Sequence, residues 1–288
     1  MIKVTQPEMF ASLENGNRFM GELPEMVNSS VTFTGKNNVF FCEKRVKLNN
    51  TNIKFNADNA IVYLCENNND YKLSLNVYNG NVFYSGKNNY FNGVMNVILS
   101  EQKHLFIGND CLLSFGIWVR NADPHLIYDV ESHNRINPTK SIFIGDHVWV
   151  GQSAMILKGT QAESGSIIGA MSVVSNKKID ANSSWAGNPA KKIKDGVFWN
   201  RPCVHTWTEK QTADSQQYAE NDFIFEHKSE EYIPFDDIEK NLDAQKSADS
   251  KLEYLGNISA NANKNRFCRE KETVEVKNKK GFFSRFKK

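Results

Sequence analysis

An aliphatic or small residue recurs at every sixth position through the middle of the chain, in the series Ile144, Val150, Ile156, Ala162, Ile168 and Val174. A second series of small or β-branched residues follows each of the first five by four positions, at Val148, Ala154, Thr160, Ser166 and Ser172. A period of six matches neither an α-helix nor a simple alternating strand. It is typical of a parallel β-helix, in which each short strand buries one inward side chain. The pattern therefore predicts a solenoid, with ligand sites in grooves between coils or between copies.

The regular hexapeptides cover residues 105–195 and are interrupted once, by residues 121–139. A loop that interrupts a repeat does not serve the core of that repeat, and such loops commonly carry function. We therefore expect the functional residues to concentrate around this insertion. The period is lost near Trp185, where the sequence Gly-Asn-Pro predicts a turn that closes the solenoid.

Residues 31–104 are strand-rich and asparagine-rich, and we expect them to form irregular coils of the same β-helix. The sequence that starts Val31-Thr-Phe-Thr-Gly35 is echoed 51 residues later by Val82-Phe-Tyr-Ser-Gly86. This offset is close to three coils of about 18 residues, so it predicts equivalent positions three coils apart. Asparagine and glycine tolerate positive φ, which suits the tight corners of a coil.

Beyond residue 195 the six-residue period is absent and helical spacing appears. Asp236 to Leu255 is expected to be helical, with apolar contacts at Ile238, Leu242, Leu252 and Leu255. The chain therefore divides into an N-terminal segment 1–30, irregular coils 31–104, regular coils 105–195 with the inserted loop 121–139, a partly helical extension 196–276 and a tail 277–288.

The tail 277–288 holds six Lys or Arg and three Phe, with no acidic side chain. It is compatible with a solvated segment, with a peripheral anchor on an anionic membrane, or with nucleic-acid binding. No stacking platform or nucleic-acid motif accompanies it, so nucleic acid is not an expected partner. The hypothesis for this tail is contact with the cytoplasmic face of the inner membrane.

Composition narrows the class of protein. The formal net charge of +2 at pH 7 gives no global case for a nucleic-acid or acidic partner. The five cysteines are scattered without a CxxC pair, which favours reduced thiols in the cytoplasm over a disulfide framework or a zinc site. The N-terminus has no apolar run of the signal-peptide type, and no stretch approaches the roughly 20 apolar residues of a membrane span.

Four motifs occur in a fixed order around the insertion: Asp123-Pro-His125 in the loop, Ile144-Gly-Asp-His-Val-Trp-Val-Gly151, Ile168-Gly-Ala-Met-Ser-Val-Val174 and Ala186-Gly-Asn-Pro-Ala-Lys191. Together they resemble the hexapeptide-repeat acyltransferase family, on the branch that includes galactoside, maltose and polysialic acid O-acetyltransferases. The resemblance covers about residues 105–195. It implies an all-β core that forms a left-handed parallel β-helix, usually as a homotrimer, with acetyl-CoA in the cleft between two subunits.

The resemblance also implies roles for single residues. The histidine of the family's inserted loop matches His125, the expected general base. The remaining positions are expected to bind acetyl-CoA, from its acetyl and pantetheine end to its phosphates: Trp149, Gly151, Gly169, Ala170, Ser175, Lys191 and Lys194. The chain departs from the family's common pattern at Gln152, where a serine is frequent, and at Asn176, where a lysine often contacts CoA.

The chemistry of acetyl transfer asks for the same residue types. A sugar hydroxyl is a poor nucleophile at neutral pH, and a positioned imidazole removes its proton as it attacks the thioester. A carboxylate or a backbone carbonyl is expected to hold the other ring nitrogen of the imidazole, and Asp123 and Asp129 are the nearest carboxylates in sequence. Candidates for contact with the acceptor are Trp118, His133 and Asn92. Packing or simple solvation is the alternative for each of these side chains.

The function expected from the sequence is an acetyl-CoA-dependent O-acetyltransferase acting on a sugar of a bacterial surface polysaccharide, such as a capsule or a sialylated glycan, by direct transfer. An N-acetyltransferase of a nucleotide-linked amino sugar is the alternative within this class. A metal hydratase on the same fold needs three histidines around an ion, and the closely spaced pair of such enzymes is missing, so we expect no metal. A non-catalytic scaffold is the alternative outside enzymes.

Overall fold

Short parallel strands wind into a three-faced solenoid in the computed structural model, which describes residues 1–226 and 232–269. Eight strands form the first face: Ile2–Val4, Ser30–Phe33, Asn52–Phe55, Leu73–Val77, Met95–Ile98, Trp118–Arg120, Met155–Leu157 and Val173–Val174. Eight form the second face: Arg18–Gly21, Val39–Cys42, Ile61–Leu64, Val82–Ser85, Leu105–Ile107, Ile142–Ile144, Gln161–Ala162 and Lys178–Ile179. Six form the third face: Tyr90–Phe91, Leu112–Leu113, Trp149–Val150, Ile167–Ile168, Ser183–Ala186 and Lys191–Asp195.

The first coils carry a separate parallel pair, Glu25–Val27 with Lys47–Asn49. Neighbouring strands within each face are parallel except at two ends. Ile2–Val4 runs antiparallel to Ser30–Phe33, and Lys191–Asp195 runs antiparallel to Ser183–Ala186. The solenoid therefore closes next to Trp185, as the loss of the six-residue period predicts.

The interior of the solenoid is the six-residue series itself. Each of its members, from Ile144 to Val174, is at most 1% exposed, and so is each member of the series four positions later, from Val148 to Ser172. One inward side chain per strand is stacked on the next coil's equivalent, so the core is a continuous column rather than a single cluster. The prediction of a parallel β-helix is confirmed at the level of individual core positions.

Coil length changes along the solenoid. On the second face, Arg18 pairs with Val39 and Val39 with Ile61, which gives coils of 21 and 22 residues, whereas Phe143 pairs with Gln161 after 18 residues. The prediction of 18-residue coils in the N-terminal half is therefore wrong. The echoed segments are not equivalent either, because Val31 lies on the first face and Val82 on the second. The long coils have wider corners, which carry six of the eight asparagines with positive φ in the described chain.

Asparagine serves these corners in two ways. Half of the sixteen non-glycine residues with positive φ in the described chain are asparagines, as expected. Buried asparagine amides also bond the corner of the next coil: Asn17 Oδ1 accepts the backbone N–H of Asn38, and Asn38 Oδ1 accepts that of Ala60, at 3.0 and 2.9 Å. These side chains satisfy corner backbone groups that the strands leave unpaired.

The C-terminal extension covers the outside of the second face. It contains the helices α1 (Glu209–Asp214), α2 (Phe235–Ala244) and α3 (Ala248–Ala260), a 3₁₀ turn at Val204–Thr206 and a paired strand couple, Ile233–Pro234 with Phe267–Cys268. A further 3₁₀ helix, Pro7–Ser12, belongs to the first coil. The expected helix over 236–255 is two helices, and its four predicted contacts are buried against the outward aromatic column Tyr63, Tyr84, Phe106 and Phe143.

A buried ion pair fixes the end of this extension. The guanidinium of Arg266 is fully buried, and its Nε and Nη2 donate to the two carboxylate oxygens of Asp146 at 2.9 and 3.0 Å. Its Nη1 donates to the backbone carbonyls of Ile258 and Asn261, at the end of α3. Arg266 therefore ties the helices to a corner of the regular coils.

None of the helices in residues 1–226 and 232–269 has the length and apolar character needed to cross a bilayer. The tail 277–288 lies outside the described residues, so its contact with a membrane stays a prediction.

We predict that Arg266→Met lowers the free energy of unfolding by about 3–5 kcal/mol, because it leaves the Asp146 carboxylate buried without its counter-charge. Denaturant melts check this value. Arg18→Met is the matched control, since the Arg18–Asp249 pair is exposed and is expected to contribute at most about 1 kcal/mol. Adding Asp146→Asn to Arg266→Met is expected to recover part of the loss. Equal effects of the two single variants would contradict the anchoring role of Arg266.

Candidate active site

The insertion 121–139 is a short hairpin arm at the corner between the first and second faces. Its two sides meet through an antiparallel bridge between Tyr128 and Arg135, and the backbone N–H of Ile136 donates to the carbonyl of Ile127 at 2.9 Å. Leu105 and Ile142 on either side of the arm pair after 37 residues, where the next coil takes 18. The difference is the length of the arm, so the coils continue unbroken beneath it.

The base of the arm is organised by Asn137, which sequence reasoning did not single out. Its Nδ2 donates to Asp123 Oδ2 at 3.0 Å and to the carbonyl of His125 at 2.8 Å, while its Oδ1 accepts the N–H of Ile127 at 2.9 Å. The side chain is 6% exposed. One buried amide therefore holds the backbone at His125 and Ile127 and the side chain of Asp123.

The carboxylate of Asp123 joins the arm to the coil above it. Its Oδ2 accepts a hydrogen bond from Lys158 Nζ at 2.5 Å, and this contact is the main reason that the pKa of Asp123 lies below its ordinary value. No hydrogen bond joins Asp123 to the ring of His125 in the described chain. Its role as the orienting carboxylate stays a prediction.

Asp129, the other carboxylate considered, closes the tip of the arm. It accepts the backbone N–H groups of Glu131 and Ser132 at 3.2 and 2.8 Å, and the bonds from Ser132 lower its pKa. His133 also lies at the tip, with a positive φ of 56° and its N–H bonded to the Asp129 carbonyl. Both residues are used in the turn, away from the base where His125 lies.

His125 itself is exposed, and its ring makes no hydrogen bond to any described residue. The apolar side chains around it are exposed as well, with Val130 at 87% and Leu126 and Ile136 above half. An arm with an apolar surface and a free imidazole is suited to contact a ligand or another protein surface.

Trp149 faces outward from the third face and is 38% exposed. The ring of Trp199, from the extension, lies 6.1 Å from it. Trp199 in turn stacks on His147 at 4.0 Å with nearly parallel rings, and its Nε1 donates to the His147 carbonyl. His147 is buried, and its Nδ1 lies 2.8 Å from Asp110 Oδ2. The extension thus packs against the third face beside Trp149. No local sequence pattern predicts this contact.

The predicted glycines lie at the corner between the third and first faces. A Cβ on Gly151 would come within 2.5 Å of the backbone nitrogen of Ala170, so coil stacking itself requires glycine there. The N–H of Gly169 donates to the Trp185 carbonyl at 2.7 Å and is not available to a ligand. The Ala170 N–H has no partner among the described residues, and Ala170 is exposed.

The basic and hydroxyl candidates lie near the C-terminal end of the solenoid. Lys191 and Lys194 are exposed on the final strand, where Lys192 takes the ion pairs with Asp180 and Asp195. Ser175 is exposed at the corner that carries the arm, one coil above Leu157, the residue before Lys158.

The residues proposed to contact the acceptor also lie on different parts of the solenoid. Trp118 is 41% exposed on the first face. Asn92 is exposed at the corner between the third and first faces, and its N–H bonds the Leu113 carbonyl.

A single chain does not bring these groups together. His125 projects from the corner between the first and second faces, whereas Trp149, Lys191 and Lys194 belong to the third face. Within residues 1–226 and 232–269 no cluster of three His, Cys, Asp or Glu side chains is arranged to hold a metal ion.

No protein-family model matches the chain. It is 29% identical to the polysialic acid O-acetyltransferase of Neisseria meningitidis, over 62% of this chain and 82% of that protein. It is 34% identical to the polysialic acid O-acetyltransferase of Escherichia coli O1:K1 / APEC, over 36% of this chain and 34% of that protein.

The crystal structure of the polySia-specific acetyltransferase NeuO matches the fold with a TM-score of 0.60 at 30% identity, covering 69% of this chain and 93% of NeuO. The chain is a member of the hexapeptide-repeat acyltransferase family. It lies on the sugar and surface-glycan O-acetyltransferase branch, and it is an enzyme of the acyltransferase class. The polysialic acid O-acetyltransferase OatWY, at 23% identity and a TM-score of 0.50 over 70% of this chain and 99% of that one, shares the fold. The left-handed parallel β-helix is thereby confirmed.

We predict that Asn137→Ala loosens the arm of this acyltransferase, because it removes the two bonds to the backbone of His125 and Ile127 and the bond to the Asp123 side chain. Hydrogen exchange over residues 124–136 is expected to speed up, and transferase activity to fall about 10- to 100-fold through misplacement of the imidazole. The melting temperature of the coils is expected to change little. Asn134→Ala, at the exposed tip, is the matched control. Unchanged exchange in Asn137→Ala would rule out this role for the amide.

Proposed function

We propose that the protein is an acetyl-CoA-dependent O-acetyltransferase that acts on a hydroxyl of a sugar in a bacterial surface polysaccharide. The observation that carries this proposal is the free, exposed imidazole of His125 at the base of a hydrogen-bonded arm, inserted into otherwise unbroken coils. The names of the related polysialic acid O-acetyltransferases support a capsule or sialylated glycan as the acceptor.

The reaction needs one base and no covalent enzyme intermediate. A ring nitrogen of His125 takes the proton of the sugar hydroxyl as the hydroxyl oxygen bonds to the thioester carbonyl carbon. The tetrahedral intermediate then expels the CoA sulfur, which takes the proton back from the imidazolium. An acetyl ester and free CoA thiol result. Asn137 holds the backbone of His125 in place, and the Asp123–Lys158 contact holds the arm to the coil.

The donor is proposed to lie on the third face. The exposed ring of Trp149 is suited to the acetyl and pantetheine end, and the Ala170 N–H is a free donor for a pantetheine carbonyl. Lys191 and Lys194, which make no ion pair among the residues described, are suited to the CoA phosphates. These assignments need no metal.

The two halves of this site are proposed to meet between neighbouring copies in a homotrimer. The second face is covered by α2 and α3, so the first and third faces are the ones free to be shared. Trp118 and Met155 on the first face, Trp149 on the third face and the apolar arm are all exposed in one chain. A neighbour whose third face lies against the first face places its Trp149 beside the His125 arm.

We expect His125→Ala to reduce glycan-dependent thiol release from acetyl-CoA by about 10²–10⁴-fold, because the transition state loses its general base. The thermal melt is expected to stay unchanged, since the side chain is exposed. His205→Ala removes another exposed imidazole and is the matched control. Alkali-labile product distinguishes an O-ester from the amide that an N-acetyltransferase forms. Full activity in His125→Ala would refute the mechanism, and wild type inert on every glycan would favour a scaffold.

A mixing experiment tests the shared site. His125→Ala and Trp149→Ala are each expected to be inactive as homotrimers. Trimers reassembled from both variants are expected to regain up to about a quarter of wild-type activity, because some interfaces combine an intact arm with an intact third face. No recovery on mixing would place the whole site in one chain, and a monomer by light scattering would remove the shared site altogether.

A further inference from the structure

Arg120 is unlike the other arginines of the molecule. Seven arginines lie in the part of the chain that the structure describes, and six of them contact a carboxylate: Arg18, Arg45, Arg135, Arg201, Arg266 and Arg269. Arg120 has no ion pair there, and its Nε is buried without any hydrogen-bond partner. A buried donor left unpaired costs about 1–3 kcal/mol, so its retention needs a reason.

The position of Arg120 supplies that reason. It faces outward from the first face, on the strand that leads directly into the arm, and it pairs in register with Ile98 below and Leu157 above. Both neighbours in its column are apolar. Asp123 lies close enough for a charge interaction with Arg120, but no ion pair or hydrogen bond joins the two side chains. Trp118, two residues earlier on the same strand, presents its exposed ring on the same face. Asp123, at the base of the arm, is already bonded to Lys158 and Asn137.

We infer that Arg120 and Trp118 form an acceptor subsite for a carboxylated sugar, in which the guanidinium binds the carboxylate and the indole ring supports the sugar face. The two side chains are separated by about 6.6 Å along the strand, which suits a single sugar ring and its substituent. A guanidinium offers a planar pair of N–H donors that matches a carboxylate. This inference rests on the proposed function, and it assigns the acceptor to the acidic glycans.

The guanidinium of Arg120 is also chemically suited to a phosphate of CoA. The order of the coils favours the acceptor. The strand of Arg120 is one coil below that of Met155, which is level with Trp149. The proposed phosphate contacts, Lys191 and Lys194, lie beyond Trp149 toward the other end, past Ile167–Ile168 and Ser183–Ala186. Arg120 therefore lies on the far side of the acetyl end from the phosphates.

The test compares wild type, Arg120→Gln and Lys54→Gln. Lys54 is the matched control, because it is an exposed cation in the same outward column of the first face, three strands below Arg120. The acceptors are an oligomer of sialic acid and the same oligomer with its carboxylates converted to methyl esters. Initial rates of thiol release give KM for each acceptor and for acetyl-CoA. Calorimetric titration gives acceptor affinity without turnover, and light scattering gives the assembly state.

The expected result is a rise of about tenfold or more in KM for the acidic oligomer in Arg120→Gln, with KM for acetyl-CoA and the assembly state unchanged. Esterification is expected to weaken the acceptor for wild type and for Lys54→Gln, and to have little further effect in Arg120→Gln. A melting temperature close to that of wild type is expected, because the substitution removes no hydrogen bond or ion pair of the described chain.

A raised KM for acetyl-CoA in Arg120→Gln overturns the subsite and assigns Arg120 to the donor phosphates. Dissociation of the trimers also overturns it and assigns Arg120 to a carboxylate of a neighbouring copy. No change in KM for the acidic oligomer overturns it as well. Failure of the proposed function is distinguishable, because wild type then releases no thiol with either acceptor. Binding of the acidic oligomer that depends on Arg120 still supports the subsite in that case, and wild type that does not bind the oligomer overturns it.

Discussion

The stacking of one coil on the next is the constraint on which the rest of this molecule depends. Each coil repeats the same inward positions, so every corner must bring backbone close to backbone. Gly151 has no space for a Cβ, and the buried amides of Asn17 and Asn38 bond corner N–H groups one coil away. Because the corners are fixed in this way, a loop inserted at one of them does not disturb the hydrogen bonds between stacked strands. The hairpin arm uses that freedom.

The extension changes which surfaces the solenoid presents. The outward column of aromatic residues on the second face would otherwise be a large apolar patch, and α2 and α3 cover it. Arg266 and Asp146 fix that cover, while Trp199 and His147 tie the same extension to the third face beside Trp149. A segment far from the arm in sequence therefore determines which faces are free, and supports one wall of the proposed donor site.

Sequence periodicity predicted the fold wherever one coil repeats the next with the same length. It located the buried series from Ile144 to Val174 and the solenoid's end near Trp185, because those positions follow from spacing alone. It failed for the N-terminal coils, where wider corners make the offset of 51 residues misleading. The arm was located, but its hairpin form was not, since a single bridge and the amide of Asn137 define it.

Site residues were predictable only where a motif carries them. His125 and Trp149 stand in motifs, whereas Asn137, Lys158, Arg120 and Trp199 matter through contacts between distant parts of the chain. Asn137 had a local signal, since it precedes a proline at the end of the insertion. Arg120 had no local signal, because its lack of an ion pair can be recognised only in the folded structure, where the other described arginines contact carboxylates.

The antiparallel strands at the two ends of the solenoid limit how the molecule can grow. A stack of parallel strands ends in open edges that are templates for another stack, and end-to-end addition would give fibres. Here a reversed strand occupies the N-terminal edge of the first face, and another occupies the C-terminal edge of the third. The latter is Lys-Lys-Ile-Lys-Asp, whose charges repel a second copy of itself. At these two edges the addition of another parallel stack is disfavoured. The solenoid is therefore directed toward side-by-side association rather than end-to-end polymerisation.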